Sequence, residues 1–148
     1  MEDLFTQLKT GVNTTSPEET EKLAGSFAAQ MPKNCTIALY GDLGAGKSTF
    51  TRGLARAWGI TQPITSPTYN LLNVYQGERQ LLHLDAYRLE TPDSAEDLLI
   101  EDLQRDPWAL VIEWPQKVPS YWLEDAISLN FTIDGEHRRL ELLPSCGR

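Results

Sequence analysis

The eight residues Gly41-Asp42-Leu43-Gly44-Ala45-Gly46-Lys47-Ser48 constrain this chain more than any other stretch. They fit the pattern G-x-x-x-x-G-K-[ST], in which a glycine-rich turn aims main-chain N–H groups at phosphate oxygens while the lysine and hydroxyl serve the terminal phosphates and Mg2+. Such a turn works between a strand and the helix that follows it. Residues 35–40 form a β-rich apolar run leading into the turn, and residues 48–58 put Phe50, Leu54 and Ala57 on one helical face behind it. A lysine is disfavoured at a helix N-terminus, which already carries partial positive charge; a bound polyphosphate reverses that penalty. The order strand, loop, helix therefore predicts binding of a nucleoside triphosphate.

With 148 residues the chain suits a single domain spanning 1–148, able to bury a core without metals or disulfides. The net charge of −8 argues against autonomous nucleic-acid binding, whose affinity comes from Lys and Arg neutralising phosphates. Any RNA would be held by another protein; equally, the acidity serves solubility. The longest apolar stretch, residues 108–112, is too short to span a bilayer, and Glu2 and Asp3 are unlike the basic start of a signal peptide. The expectation is a cytoplasmic protein with no membrane association. Cys35 and Cys146 are far apart and lack a C-x-x-C partner, so both are expected as free thiols, the first in the core and the second in the tail.

Ser16, Pro17 and Glu19 have the spacing of a capping box with proline at the first helical position. Leu23, Ala24, Phe27, Ala28 and Met31 continue that helix until Pro32. Beyond the P-loop helix, Gly59 and Pro63 break the pattern, and Thr65, Ser66, Pro67, Thr68 and Tyr69 follow as a hydroxyl-rich loop. Residues 70–75 and 80–87 read as hairpin strands around residues 76–79. Alternation in the second sends Leu82, Leu84 and Ala86 to one face and His83, Asp85 and Tyr87 to the other. Residues 92–105 read as a helix capped by Thr91, with Leu98, Leu99 and Leu103 as its apolar stripe. Residues 108–112 read as a buried parallel strand, which sets Glu113 at the carboxyl edge where α/β sheets bind ligands. Residues 126–133 and 138–143 flank Asp134-Gly135 as a further hairpin. The fold class expected is α/β: a P-loop domain with a mostly parallel central sheet, antiparallel additions and flanking helices.

A nucleotidase needs a phosphate cradle, a metal, a group that positions water, and a device coupling hydrolysis to shape. Gly41, Asp42, Leu43, Gly44, Ala45, Gly46 and Lys47 supply the cradle, Ser48 a hydroxyl for Mg2+, and Thr49 a further contact to phosphate. Glu113 stands where a Walker-B acid belongs, ligating Mg2+ directly or through water, with a helix cap or surface carboxylate as the alternative. Asp85 orients water or serves as an outer-shell ligand, against a structural hydrogen bond; for His83 the choice is between function and structure. Thr65, Ser66 and Thr68 form either a γ-phosphate sensor or a solvated turn stiffened by Pro67. Neither an N-K-x-D nor a D-x-x-G motif is present, which favours ATP over GTP. Spacing selects none of Arg52, Arg88 and Arg138 as a transition-state cation.

Taken with Ser66-Pro67-Thr68-Tyr69, His83-Leu84-Asp85-Ala86-Tyr87-Arg88 and Glu113-Trp114-Pro115, the P-loop block through Thr49 closely resembles the TsaE (YjeE) family. The resemblance covers about residues 16–115, with the later hairpin matching in length and type, whereas residues 1–15 and 144–148 match poorly. It implies a bacterial ATPase, with ATP/ADP and Mg2+ as cofactors, needed for N6-threonylcarbamoyladenosine at position 37 of tRNAs reading ANN codons. In that family the ATPase works with TsaD, which transfers the threonylcarbamoyl group, and with TsaB; tRNA is reached through that complex. By the same resemblance Lys47 and the loop glycines bind phosphates, Ser48 and Glu113 hold Mg2+, and Asp85 matches a residue required for activity. Thr68 falls in the switch-like loop and Trp114 packs near the site. Serine at position 48 replaces the family's commoner threonine and keeps the hydroxyl. Adenine contacts are expected near Thr15 and Ser16, with Arg138 a further candidate. The rivals are a small-molecule kinase, for which no arginine-rich lid is evident, and a scaffold that binds ATP without hydrolysing it.

Overall fold

A computed structural model of the chain describes residues 3–65 and 71–144. Ser66, Pro67, Thr68, Tyr69 and Cys146 therefore lie outside the described residues. In chain order the elements are α1 (Leu4–Thr10), β1 (Val12–Thr14), α2 (Pro17–Ala28), β2 (Cys35–Gly41), α3 (Lys47–Ala57), β3 (Leu72–Gln76), β4 (Gln80–Asp85), α4 (Asp93–Glu96), α5 (Ile100–Leu103), β5 (Trp108–Glu113), β6 (Ile127–Asp134) and β7 (His137–Leu142).

β2 is apolar along its length, and Ile37, Ala38 and Leu39 are wholly buried, so both faces must be covered and the strand sits inside the sheet. Among the described residues the sheet has seven strands in the order β1-β7-β6-β2-β5-β4-β3. β6, β2, β5 and β4 run parallel, and β1, β7 and β3 add antiparallel. The carboxyl ends of the four parallel strands thus meet along one edge, where the P-loop emerges. One face packs under α1, α2 and α3, with Phe50 edge-on to both Phe27 and Phe131 at 5.4 Å between ring centres. The other face buries Leu82, Leu84, Leu110 and Ile112 beneath Ala95, Ile100 and Val118.

Ser16 caps α2 as expected, its Oγ accepting from Glu19 N at 3.2 Å with Pro17 in the first turn. α2 then lies against α3 at Gly53, where a Cβ would fall 2.6 Å from Ala24 Cβ and 2.6 Å from the Glu21 carbonyl oxygen. Only glycine permits that approach. Gly53→Ala is expected to lower unfolding stability by about 1–3 kcal/mol through overpacking, read as a shifted urea midpoint; an unchanged midpoint would contradict the packing described.

Several expectations need correction. Residues 92–105 form two short helices, α4 and α5, interrupted at Leu99, whose φ of 51° and ψ of 47° are left-handed. Ala95 and Ile100 are the residues that enter the core, and five positions along an unbroken helix would set them about 140° apart. The break turns Ile100 back toward the sheet and leaves Leu99 and Leu103 exposed. Pro92, not Thr91, occupies the cap position of α4. α2 stops at Ala28, and β4 stops at Asp85, short of Tyr87. The β6–β7 turn is Gly135-Glu136, since Asp134 pairs with His137. α1 and β1 were not anticipated. Cys35 is a buried free thiol, as expected; burial raises its pKa, and Arg79 donates to its Sγ at 3.3 Å.

Candidate phosphate-binding site

β2 delivers Gly41 to the carboxyl edge of the sheet, and α3 starts six residues later at Lys47. Gly44 and Gly46 both have positive φ, 82° and 106°, which a residue with a side chain adopts only under strain. Their turn brings the chain round so that the first turn of α3 borders the loop, and a helix N-terminus is the usual setting for an anion. Lys47 is 4% exposed, donates from Nζ to the Gly41 carbonyl, and lies 4.4 Å from the centre of the Trp114 ring. Burial holds its pKa below the usual lysine value, and Glu113, Asp85 and Asp42 pull it partly back up. A desolvated ammonium surrounded by carboxylates and a carbonyl is suited to receiving a polyanion.

The parallel register of β4 with β5 sets Asp85 directly opposite Glu113. Alternation along both strands then places Leu81, His83 and Asp85 with Ala109, Val111 and Glu113 on the face toward α3. His83 thus shares a face with Asp85 as expected, but is buried in the core. Its Nε2 donates to Glu113 Oε2 at 2.6 Å, a contact that single-sequence reasoning missed because it depends on which strands are neighbours. Asp85 Oδ1 accepts from Tyr87 N at 3.0 Å, and the Tyr87 ring packs tilted against Trp114 with centroids 5.0 Å apart. Trp114 itself is left-handed, with φ of 60°, immediately after the strand end.

Ser48 is the second residue of α3, beside Lys47. Among the described residues no group of three or more His, Cys, Asp and Glu is arranged to hold a metal unaided. A hydroxyl and one or two carboxylates are what Mg2+ takes from a protein when nucleotide phosphates and water complete its shell, so the oxygen donors present fit that ion. Thr49 accepts from Arg52 Nη2 at 3.0 Å, and Arg52 in turn lies 3.8 Å from Glu21. Arg138, which spacing did not single out, donates from Nε to the Gly44 carbonyl at 3.2 Å. Thr65 accepts from Asn73 and Tyr75 through its carbonyl at 3.4 Å, beside β3.

A cleft of about 180 Å3 opens beside the loop and brings Thr15, Ser16, Gly44, Gly46, Thr49 and Arg138 together. A larger one, about 420 Å3, lies against the opposite face of the sheet between Ile100, Tyr121 and Trp122. It touches none of the P-loop residues, so the larger cleft is separate from the glycine-rich loop.

Comparison with known proteins bears on the family and the fold. A family profile described as "Threonylcarbamoyl adenosine biosynthesis protein TsaE" matches residues 14–140. The tRNA threonylcarbamoyladenosine biosynthesis protein TsaE of Bacillus subtilis (strain 168) is 34% identical over 127 residues, 85% of this chain and 79% of that protein. Its counterpart in Nostoc sp. is 36% identical over 132 residues, covering 86% and 81%. The crystal structure of Bacillus subtilis YdiB superposes with a TM-score of 0.68 at 28% identity, covering 89% of this chain and 82% of that one.

Proposed function

The chain belongs to the TsaE family, and from that premise we propose that it serves tRNA threonylcarbamoyladenosine biosynthesis as a Mg2+-dependent ATPase acting with TsaD and TsaB. The observation that carries this reading is the convergence of Lys47, Asp85 and Glu113 at one end of the parallel strands. In it, the loop from Gly41 to Lys47 wraps the β- and γ-phosphates, and Lys47 exchanges the Gly41 carbonyl and the Trp114 ring for phosphate oxygens. Ser48 and Glu113 would hold Mg2+, which when bound would supply neutralisation of charge on the transferred phosphoryl group. Thr49 borders the phosphates, and the cleft between Thr15, Ser16 and Arg138 takes the nucleoside. Asp85, beside Glu113 and partly exposed, orients the attacking water.

Intrinsic turnover is slow in this reading. Arg52 is engaged by Thr49 and Glu21, and Arg138 by the loop carbonyl, so neither is poised as an arginine finger. Partner proteins supply the acceleration. With a net charge of −8 the protein reaches tRNA through TsaD and TsaB. No helix among the described residues is long and apolar enough to cross a membrane.

Phosphate release measured with and without TsaD and TsaB tests the proposal. Wild type releases phosphate slowly alone and faster with the partners. Asp85→Ala lowers the rate by about 100-fold or more, the scale of a lost positioning or general-base group, while ADP affinity stays within about threefold because binding rests on the loop. A scaffold releases nothing in either condition, and a kinase phosphorylates an added acceptor instead.

A further inference from the structure

The register that sets Asp85 against Glu113 also fixes His83 opposite Val111, one step down the same face. His83 is 1% exposed. Its Nε2 lies 2.6 Å from Glu113 Oε2, while Nδ1 is buried with no hydrogen-bond partner among the described residues. A carboxylate only accepts, so Nε2 carries the hydrogen of this contact, and Nδ1 has no partner of its own. Were the ring there to fill space, an apolar side chain in this core would do so without burying an unsatisfied nitrogen. The imidazole is kept for its one contact.

We propose that His83 is a positioning residue for Glu113: its Nε2–H locks the carboxylate through Oε2 and leaves Oε1 as the oxygen presented to a divalent cation. This rests on the assignment of Glu113 as a holder of Mg2+. A glutamate side chain has several rotatable bonds, and ordering them when the cation arrives opposes binding. A buried donor at 2.6 Å fixes the orientation beforehand. Groups that orient metal ligands in this way typically change metal affinity 10- to 100-fold when removed.

Two amide substitutions separate orientation from packing. In His83→Gln the side-chain nitrogen reaches the place of Nε2 and keeps the donor; in His83→Asn it reaches only the place of Nδ1 and loses Glu113. The probe is Mn2+ titrated into the full chain with ADP, read from the loss of the free Mn2+ paramagnetic resonance signal, together with calorimetric ADP binding in EDTA. His83→Asn is expected to weaken Mn2+ binding to the protein–ADP complex by about 10- to 100-fold. His83→Gln stays within about fivefold of wild type, since its donor is retained, and ADP binding in EDTA changes in neither by more than about threefold because the loop is untouched. Should the asparagine variant fail to fold by circular dichroism, His83→Phe, which keeps the ring volume, replaces it with the same expected loss. Wild-type Mn2+ affinity in the asparagine or phenylalanine variant overturns the proposal, as does a glutamine variant that loses as much as asparagine. Failure of the parent reading has a different signature: wild type itself then binds no ADP, or holds Mn2+ no tighter than ADP alone does.

Discussion

Lys47→Ala is expected to weaken ADP and ATP binding at least about a hundredfold in calorimetry with magnesium present. Hydrogen bonds between charged partners contribute about 1.5–3 kcal/mol each, and the upper part of that range corresponds to two orders of magnitude in affinity. The nucleotide-free protein responds in the opposite sense. Burial depresses the Lys47 pKa below its usual 10.5, so between the lowered value and 10.5 the unfolded chain binds more protons than the native one. Stability attributable to this group therefore rises as pH climbs through that window, and the penalty of burying the ammonium is fully present only below the lowered value. Lys47→Met, which keeps the apolar stem, is accordingly expected to melt no lower than wild type at neutral pH, with any advantage shrinking toward pH 10.5. A Lys47→Ala protein that still bound nucleotide within tenfold of wild type would refute the phosphate cradle.

Glu113→Ala carries the second large effect. Hydrolysis is expected to fall about 100- to 1000-fold, the scale seen when a group stabilising the reacting centre is removed. ADP binding in EDTA stays within about threefold, because the loop and Lys47 are unchanged. The same substitution leaves both nitrogens of the buried His83 without a partner, which costs about 1–3 kcal/mol of stability. Glu113→Gln divides these consequences: its amide oxygen still accepts from His83 Nε2, so the melting temperature recovers, whereas hydrolysis does not. Undiminished phosphate release from either variant would remove Glu113 from the site.

Most of the architecture was legible where the cause was local. The P-loop, the cap at Ser16 and the apolar run ending at Glu113 each announce themselves within a few residues, and each element stands where expected. What stayed hidden depends on distant partners. β1 has three residues and exists only because β7 pairs with it, and nothing within residues 12–14 demands a strand. The misread helix at residues 92–105 has good helical spacing of leucines, yet the sheet above it requires Ala95 and Ile100, and tertiary burial prevailed over periodicity. At the site, the face shared by His83 and Asp85 followed from alternation alone. Their meeting with Glu113 did not, because it requires knowing that β4 lies beside β5. Likewise the hold of Arg138 on Gly44 joins residues 94 positions apart, a separation at which spacing carries no signal.

The place of β2 between β5 and β6 has a consequence for how the protein comes into being. A ribosome has completed the whole glycine-rich signature by residue 48, but neither strand that flanks β2 begins before residue 108. A nascent chain halted in between therefore owns the lettering of a nucleotide grip and lacks the neighbours that hold it in shape. On the proposed reading, topology postpones ligand capture until the later strands have been translated, so fragments ending early are expected to emerge unable to retain ATP however intact their motif.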